Sequence, residues 1–196
     1  MDWSYLNSGQ VSDALEEAGL PQTVLQGFMR FDAGTRPTYG PAFPIQQQRK
    51  SHGVPRSRPE VSHGAAIRDE APPGFVVIID NGGRNDAATW GGNHTRRSLS
   101  KGLAGTIVFG ATRDVDEIQR MDYPLFATGL SPIKSRWTTH TASVNQPINI
   151  AGIVIAPGDL IFADRTGIIS IPTTSITEVW EIATKIWSEE NKKGNS

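Results

Sequence analysis

The chain contains no cysteine. Disulfides, thiolate metal sites and a cysteine nucleophile are therefore excluded. It also lacks any apolar run near the roughly 18 residues that a membrane-spanning helix requires. Charge of one sign is not in excess: 19 Lys and Arg stand against 20 Asp and Glu, a formal net charge of −1. Such a balance gives no electrostatic reason to bind nucleic acid or an anionic membrane. The N-terminus, MDWSYLNSG, has no basic segment followed by an apolar one. No secretory signal is expected, and a cytoplasmic location is. The signatures GxSxG, GxGxxG and the P-loop are missing. His52, His63, His94 and His140 show no HxxxH zinc spacing.

What remains is an ordinary globular composition, 37% apolar and 20% charged over 196 residues. That length suits one core, so a single domain over 1–196 is expected. Twenty glycines and thirteen prolines point to short elements and tight turns.

Val11-Ser-Asp-Ala-Leu-Glu-Glu-Ala-Gly19 reads as a short helix, with Ser12 as N-cap and Gly19 as its stop. Residues 46–63 carry Arg49, Lys50, Arg56 and Arg58 with few core residues, and read as a loop, either solvated or ordering over an anionic substrate. A short helix is expected over His63–Glu70. Phe75-Val-Val-Ile-Ile-Asp80 is an unalternating apolar run, the pattern of a strand covered on both faces. Asn81–Arg84 reads as a turn, Trp90–Lys101 as a helix closed by Gly102, and Leu103–Phe109 as the next strand. Strand, helix, strand at this spacing is a βαβ unit, so the sheet is expected to be parallel here. A second helix is expected over Asp114–Met121. Short strands follow at 148–155, 160–163 and 167–171. A final helix spans about Thr174–Lys193, with Ser175 and Glu178 as a capping box and Ile176, Val179, Trp180, Ala183 and Trp187 on one face. The two tryptophans face either the core or another subunit.

Ligands of α/β sheets bind at the carboxyl ends of strands. A single crossover brings two such ends together, Asp80–Arg84 leading to Trp90-Gly-Gly-Asn-His94, and Gly110-Ala-Thr-Arg-Asp114. Gly91, Gly92 and Asn93 lie at the start of a helix, where unpaired N–H groups and missing side chains suit a carboxylate or phosphate. Arg113 and Asp114 have two readings. In one, Asp114 caps the next helix and Arg113 makes a surface ion pair. In the other, the guanidinium binds an oxyanion and the carboxylate holds a divalent cation such as Mg²⁺. His94 follows the glycine pair.

Together the segments VSDALEEAG (11–19), APPGFVVIIDNGG (71–83), WGGNHT (90–95), GLAGTIVFGATRDVDEI (102–118) and PGDLIFADRTGIISIP (157–172) resemble the RraA-like family. Its enzymes include 4-hydroxy-4-methyl-2-oxoglutarate / 4-carboxy-4-hydroxy-2-oxoadipate aldolases. The resemblance implies a single-domain α/β fold of the swivelling β/β/α type and a homotrimer, or a hexamer of trimers. It implies a class II lyase that cleaves or decarboxylates a small 2-oxo acid, with Mg²⁺ or Mn²⁺ held by Asp114. Arg113 and the Gly91, Gly92, Asn93, His94 turn would bind the substrate. The family also implies an alternative, a regulator that binds a ribonuclease without chemistry of its own. This chain departs from the aldolase turn, typically Gly-Asp-Asn-Leu, where it reads Gly91-Gly92-Asn93-His94. His94 then becomes a candidate acid or base beside Arg113. Asp80 or Asp86 is a candidate for the missing carboxylate, and Glu178, Glu181 and Glu189 for an acid lent by a neighbouring subunit.

Overall fold

Gly105-Thr-Ile-Val-Phe-Gly-Ala-Thr112 is uncharged and buried along nearly its whole length. It forms a strand because its side chains find apolar cover on both faces. The computed structural model describes residues 1–50 and 63–194. Most of the 46–63 segment, from 51 to 62, lies outside the described residues. In chain order the elements are α1 (Ser8–Glu17), β1 (Val24–Leu25), β2 (Met29–Arg30), β3 (Thr38–Arg49), α2 (His63–Asp69), β4 (Val76–Trp90), α3 (Gly92–Lys101), β5 (Gly105–Thr112), α4 (Val115–Met121), β6 (Leu125–Leu130), β7 (Thr139–Val144), β8 (Ile148–Ile150), β9 (Ile153–Ile155), β10 (Leu160–Ala163), β11 (Ile168–Ile171) and α5 (Ile176–Gly194).

Strands β3, β4, β5 and β6 lie side by side and parallel. Helices α3 and α4 are the crossovers expected of βαβ units. Side chains of β4 alternate between two apolar clusters: Val77 and Ile79 enter one, Val76 and Ile78 the other. Each such buried side chain is worth about 1.5–3 kcal/mol. Strand β3 serves two sheets. Its Thr38–Pro41 part pairs antiparallel with β10, its Ala42–Gln46 part pairs parallel with β4, and Ile45–Arg49 carries β7. An antiparallel β1-β11-β10 layer is thereby joined to the parallel strands. The result is a mixed α/β fold. A third cluster packs α1 and α5 on β10 and β11.

Several local expectations shift. Helix α1 begins earlier than expected, capped by Asn7 in a reciprocal box with Gln10. Ser12 lies inside the helix, and its hydroxyl bonds Gln22. Gly19, at φ 68°, follows the helix end as expected. Strand β4 does not stop at Asp80 but continues to Trp90, interrupted by register shifts around Arg84 where Gly82 and Gly83 adopt positive φ. Helix α3 accordingly starts at Gly92, not Trp90. The polar end of β3, Gln46–Arg49, is strand where a loop was expected, because β7 pairs with it. A 3-10 turn at Thr173–Ser175 leads into α5. No Ser175–Glu178 side-chain cap forms among the described residues. The tryptophans of α5 pack on the chain's own N-terminal segment: Trp187 lies 4.8 Å from the Tyr5 ring, and Trp180 donates to the Asp2 carbonyl.

Candidate active site

The junction after β5 turns on one backbone conformation. The Arg113 N–H donates to the Trp90 carbonyl at 3.2 Å, which continues the β4–β5 contact by one residue. Asp114 then adopts the left-handed region, φ 59°, which aspartate tolerates better than most residues. Its side chain does not cap α4. It reaches across 22 residues and accepts from the Gly92 N–H at 3.1 Å. Asp114 therefore caps α3, where the helix dipole favours negative charge. Arg113 Nε lies 3.6 Å from Asp114 Oδ2, and both side chains are only partly exposed.

The two glycines of the turn now have a steric reason. A Cβ on Gly91 would lie 2.7 Å from Asp114 Oδ2 and 3.0 Å from Arg113 Cγ. A Cβ on Gly92 would lie 2.1 Å from Glu117 Oε2. The room left by the missing side chains is filled by the chain's own Arg113, Asp114 and Glu117. Glu117 in turn pairs with Arg96. The Gly92 amide is committed to Asp114, and the His94 and Thr95 amides return to the Gly91 carbonyl. Asn93 carries the remaining first-turn N–H.

Arg113, Asp114, Gly91, Asn93 and His94 line one cavity of about 330 Å³. Gly92 adjoins it through its bond to Asp114. A buried polar network forms one wall of the cavity. His63 Nε2 lies 2.8 Å from the Thr89 carbonyl, which can only accept, so Nε2 carries the proton. His63 Nδ1 then accepts from Gln47 Nε2 at 2.7 Å, and the Thr89 hydroxyl donates to Gln47 Oε1. Every polar atom of this ring is satisfied by a neutral imidazole. Burial lowers the His63 pKa to about 3, helped by His94. The His94 ring stacks 4.6 Å from His63 and 5.2 Å from Trp90, whose Nε1–H is held by Thr95. Burial, then the Arg97 and Arg113 charges, lowers the His94 pKa to about 4. His94 is neutral at pH 7.

Sequence reasoning missed Gln47, His63 and Thr89 as parts of the site. Only the run of glutamines at the end of an apolar strand hints at them. It also missed the cations Lys134 and Arg136, which enter the cavity from the 3-10 turn at Ser135–Trp137 and its approach. Asp80 and Asp86 do not replace a carboxylate here: Asp80 accepts from the Gly82 N–H, and Asp86 sits 3.6 Å from Arg49. Glu178, Glu181 and Glu189 do not line this cavity within one chain.

No group of three or more His, Asp or Glu among the described residues is placed to share a metal. The donor chemistry nonetheless fits a hard cation. Asp114 is the only carboxylate among the described residues lining the cavity, and its Oδ1 has no partner among the described residues. One carboxylate with a free oxygen suits Mg²⁺ or Mn²⁺ that keeps most of its hydration.

A family model described as RraA-like: Aldolase/RraA matches residues 8–170. Protein DlpA of Legionella pneumophila is 35% identical over 88% of this chain, which spans 27% of that protein. The 4-hydroxy-4-methyl-2-oxoglutarate aldolase of Thermus thermophilus is 33% identical over 54% of this chain and 64% of its own length. The chain thus spans less than two thirds of either relative. A solved structure of an uncharacterized protein from Pseudomonas syringae superimposes with a TM-score of 0.82 at 31% identity, over 95% of this chain and 84% of that one.

Proposed function

Because the chain belongs to the RraA-like family, we propose that it is a divalent-metal-dependent carbon–carbon lyase acting on a small 2-oxo acid through a pyruvate-type enolate. The observation that carries this reading is the placement of Arg113 and Asp114, 3.6 Å apart, against the Gly91–Gly92 turn in one cavity. Relatives named as aldolases support it.

In retro-aldol cleavage the C3–C4 bond of a 4-hydroxy-2-oxo acid breaks. The C4 hydroxyl loses its proton and becomes a carbonyl, and the electron pair passes through C3 to the C2 oxygen. Protonation at C3 then releases pyruvate. The barrier lies in the negative charge gathering on the C2 oxygen. The Arg113 guanidinium offers planar, permanently charged donors to that oxygen and its neighbouring carboxylate. One preorganised donor of this kind is worth about 3–4 kcal/mol in the transition state. Asp114 Oδ1 would hold Mg²⁺ or Mn²⁺, which supplies Lewis-acid polarisation when bound. His94, neutral and packed against the His63 and Trp90 rings, would accept the hydroxyl proton as the bond breaks. Decarboxylation of oxaloacetate gives the same enolate, so one site serves both reactions. A homotrimer or hexamer belongs to the same proposal. Leu130, Ile133 and Trp137 are large apolar side chains left exposed, the last two beside the cavity-lining Lys134 and Arg136, which supports it.

The test is pyruvate release from oxaloacetate or 4-hydroxy-4-methyl-2-oxoglutarate, with Mg²⁺ and then with chelator. Asp114→Asn keeps an oxygen for the Gly92 N–H but removes the charge. Release that stops with chelator and in this variant supports the lyase. No turnover, with direct binding and inhibition of a ribonuclease, favours the regulator.

A further inference from the structure

The cavity carries far more positive charge than a 2-oxo carboxylate and one cation-binding aspartate account for. Lys50, Arg97, Arg113, Lys134 and Arg136 line it against the single carboxylate of Asp114. Arg113 has that carboxylate beside it. Lys50, Arg97 and Lys134 have no ion-pair partner among the described residues, and Arg136 stacks on Trp137 at 5.1 Å. Unpaired like charges gathered in one concave space repel, and an anionic ligand relieves that repulsion.

These groups are not spread evenly. Arg113 and Asp114 come from the β5–α4 junction. Across β4, the β3–β7 ladder brings in Lys50, just past the end of β3, whose N–H donates to the carbonyl of Thr138, the residue before β7. Thr139 and Thr141, two apart on β7, share a face of that strand and line the same cavity. Lys134 sits where the chain bridges to Ala88 of β4, and Arg136 follows two residues on. One side of the cavity therefore holds the oxo-acid machinery, and the other holds two lysines, an arginine, His140 and the hydroxyl residues Ser135, Thr139 and Thr141.

We propose that this second wall is an anion subsite, and that the substrate is an oxo acid bearing a phosphoryl group at its far end. The inference rests on the lyase reading for the oxo-acid end alone. The donor set selects phosphate over a second carboxylate. Lysines and threonine hydroxyls are point donors that converge on a tetrahedral dianion from several directions. A carboxylate carries one charge in a plane and is best met by a bidentate arginine. Two lysines and an arginine on one wall balance two negative charges more closely than one.

Three inert probes of equal chain length separate the cases: 2-oxopentanoate, 2-oxoglutarate and 2-oxo-4-phosphonobutanoate. They share the oxo-acid end and differ in a terminal methyl, carboxylate or phosphonate. Affinities are measured by calorimetry on the full chain with Mg²⁺ present. The phosphonate is expected to bind roughly 10- to 100-fold more tightly than the methyl compound, the range set by one to two charged hydrogen bonds, with the carboxylate between them. Lys50→Gln and Lys134→Gln should erase the phosphonate advantage while leaving 2-oxopentanoate affinity unchanged. Two variants on separate elements guard against a folding defect in either. Equal binding of the methyl and phosphonate probes overturns the subsite but leaves the lyase reading standing. Carboxylate binding as tight as phosphonate binding overturns the phosphoryl assignment. Failure of all three probes to bind overturns both.

Discussion

At the scale of single residues, the site is held together by what is missing. Gly91 has no side chain because Asp114 and Arg113 already fill its Cβ position. Gly91→Ala must push one of them aside. It should cost about 1–3 kcal/mol, the usual penalty of overpacking, and should weaken Mn²⁺ binding followed by its electron paramagnetic resonance signal. Urea denaturation measures the first effect. Unchanged stability and unchanged metal affinity would show that the turn has slack the geometry denies. The sequence made Arg113, Asp114 and the glycine turn legible as neighbours, since GATRD and WGGNH end two strands joined by one crossover. It did not reveal why the glycines are there. The local signal, Gly-Gly before a helix, looks the same whether a ligand or a distant side chain takes the space.

At the scale of elements, the network joining β3, β4 and α2 is the part that sequence reasoning overlooked. Gln47, Thr89 and His63 are far apart in the chain, and each alone reads as an unremarkable polar residue. Only the pairing of strands brings them into a closed ring of hydrogen bonds. Thr89→Val keeps the shape but leaves Gln47 Oε1 without its donor. A buried acceptor stranded in this way costs about 1–3 kcal/mol, so the urea midpoint should fall, with an unchanged m-value. Strand β3 was missed for a related reason. Pro41 and Pro44 argue against a strand interior, and Gln46–Arg49 is polar. Tertiary pairing on both edges overrides those local signals. By contrast β4, β5, α3 and α4 were readable, because their long apolar runs and helix stops are local properties. Their limits were not: β4 runs ten residues beyond Asp80, to Trp90, through an irregular stretch that looks like a turn.

At the scale of the whole molecule, acidity sets the clearest prediction. His63 and His94 have pKa values lowered to about 3 and about 4 in the folded chain. Unfolded, both titrate near 6.5. Between these values the unfolded chain binds protons that the folded one refuses. Stability is therefore complete above about pH 6.5 and declines as the pH falls toward 4. Urea midpoints across pH 7.5 to 4.5 should drop, and His63→Gln should flatten the drop. A flat profile in the parent protein would mean that both rings accept protons without cost. The larger architecture adds one more consequence. A single strand, β3, is stitched to β10 at its start, to β4 in its middle and to β7 at its far end. The layers have no seam between them, so loosening either one tugs on the strand that ends at the mouth of the cavity. Heat or denaturant should erase the chamber and both layers in one step, leaving no half-assembled form that still grips its ligand.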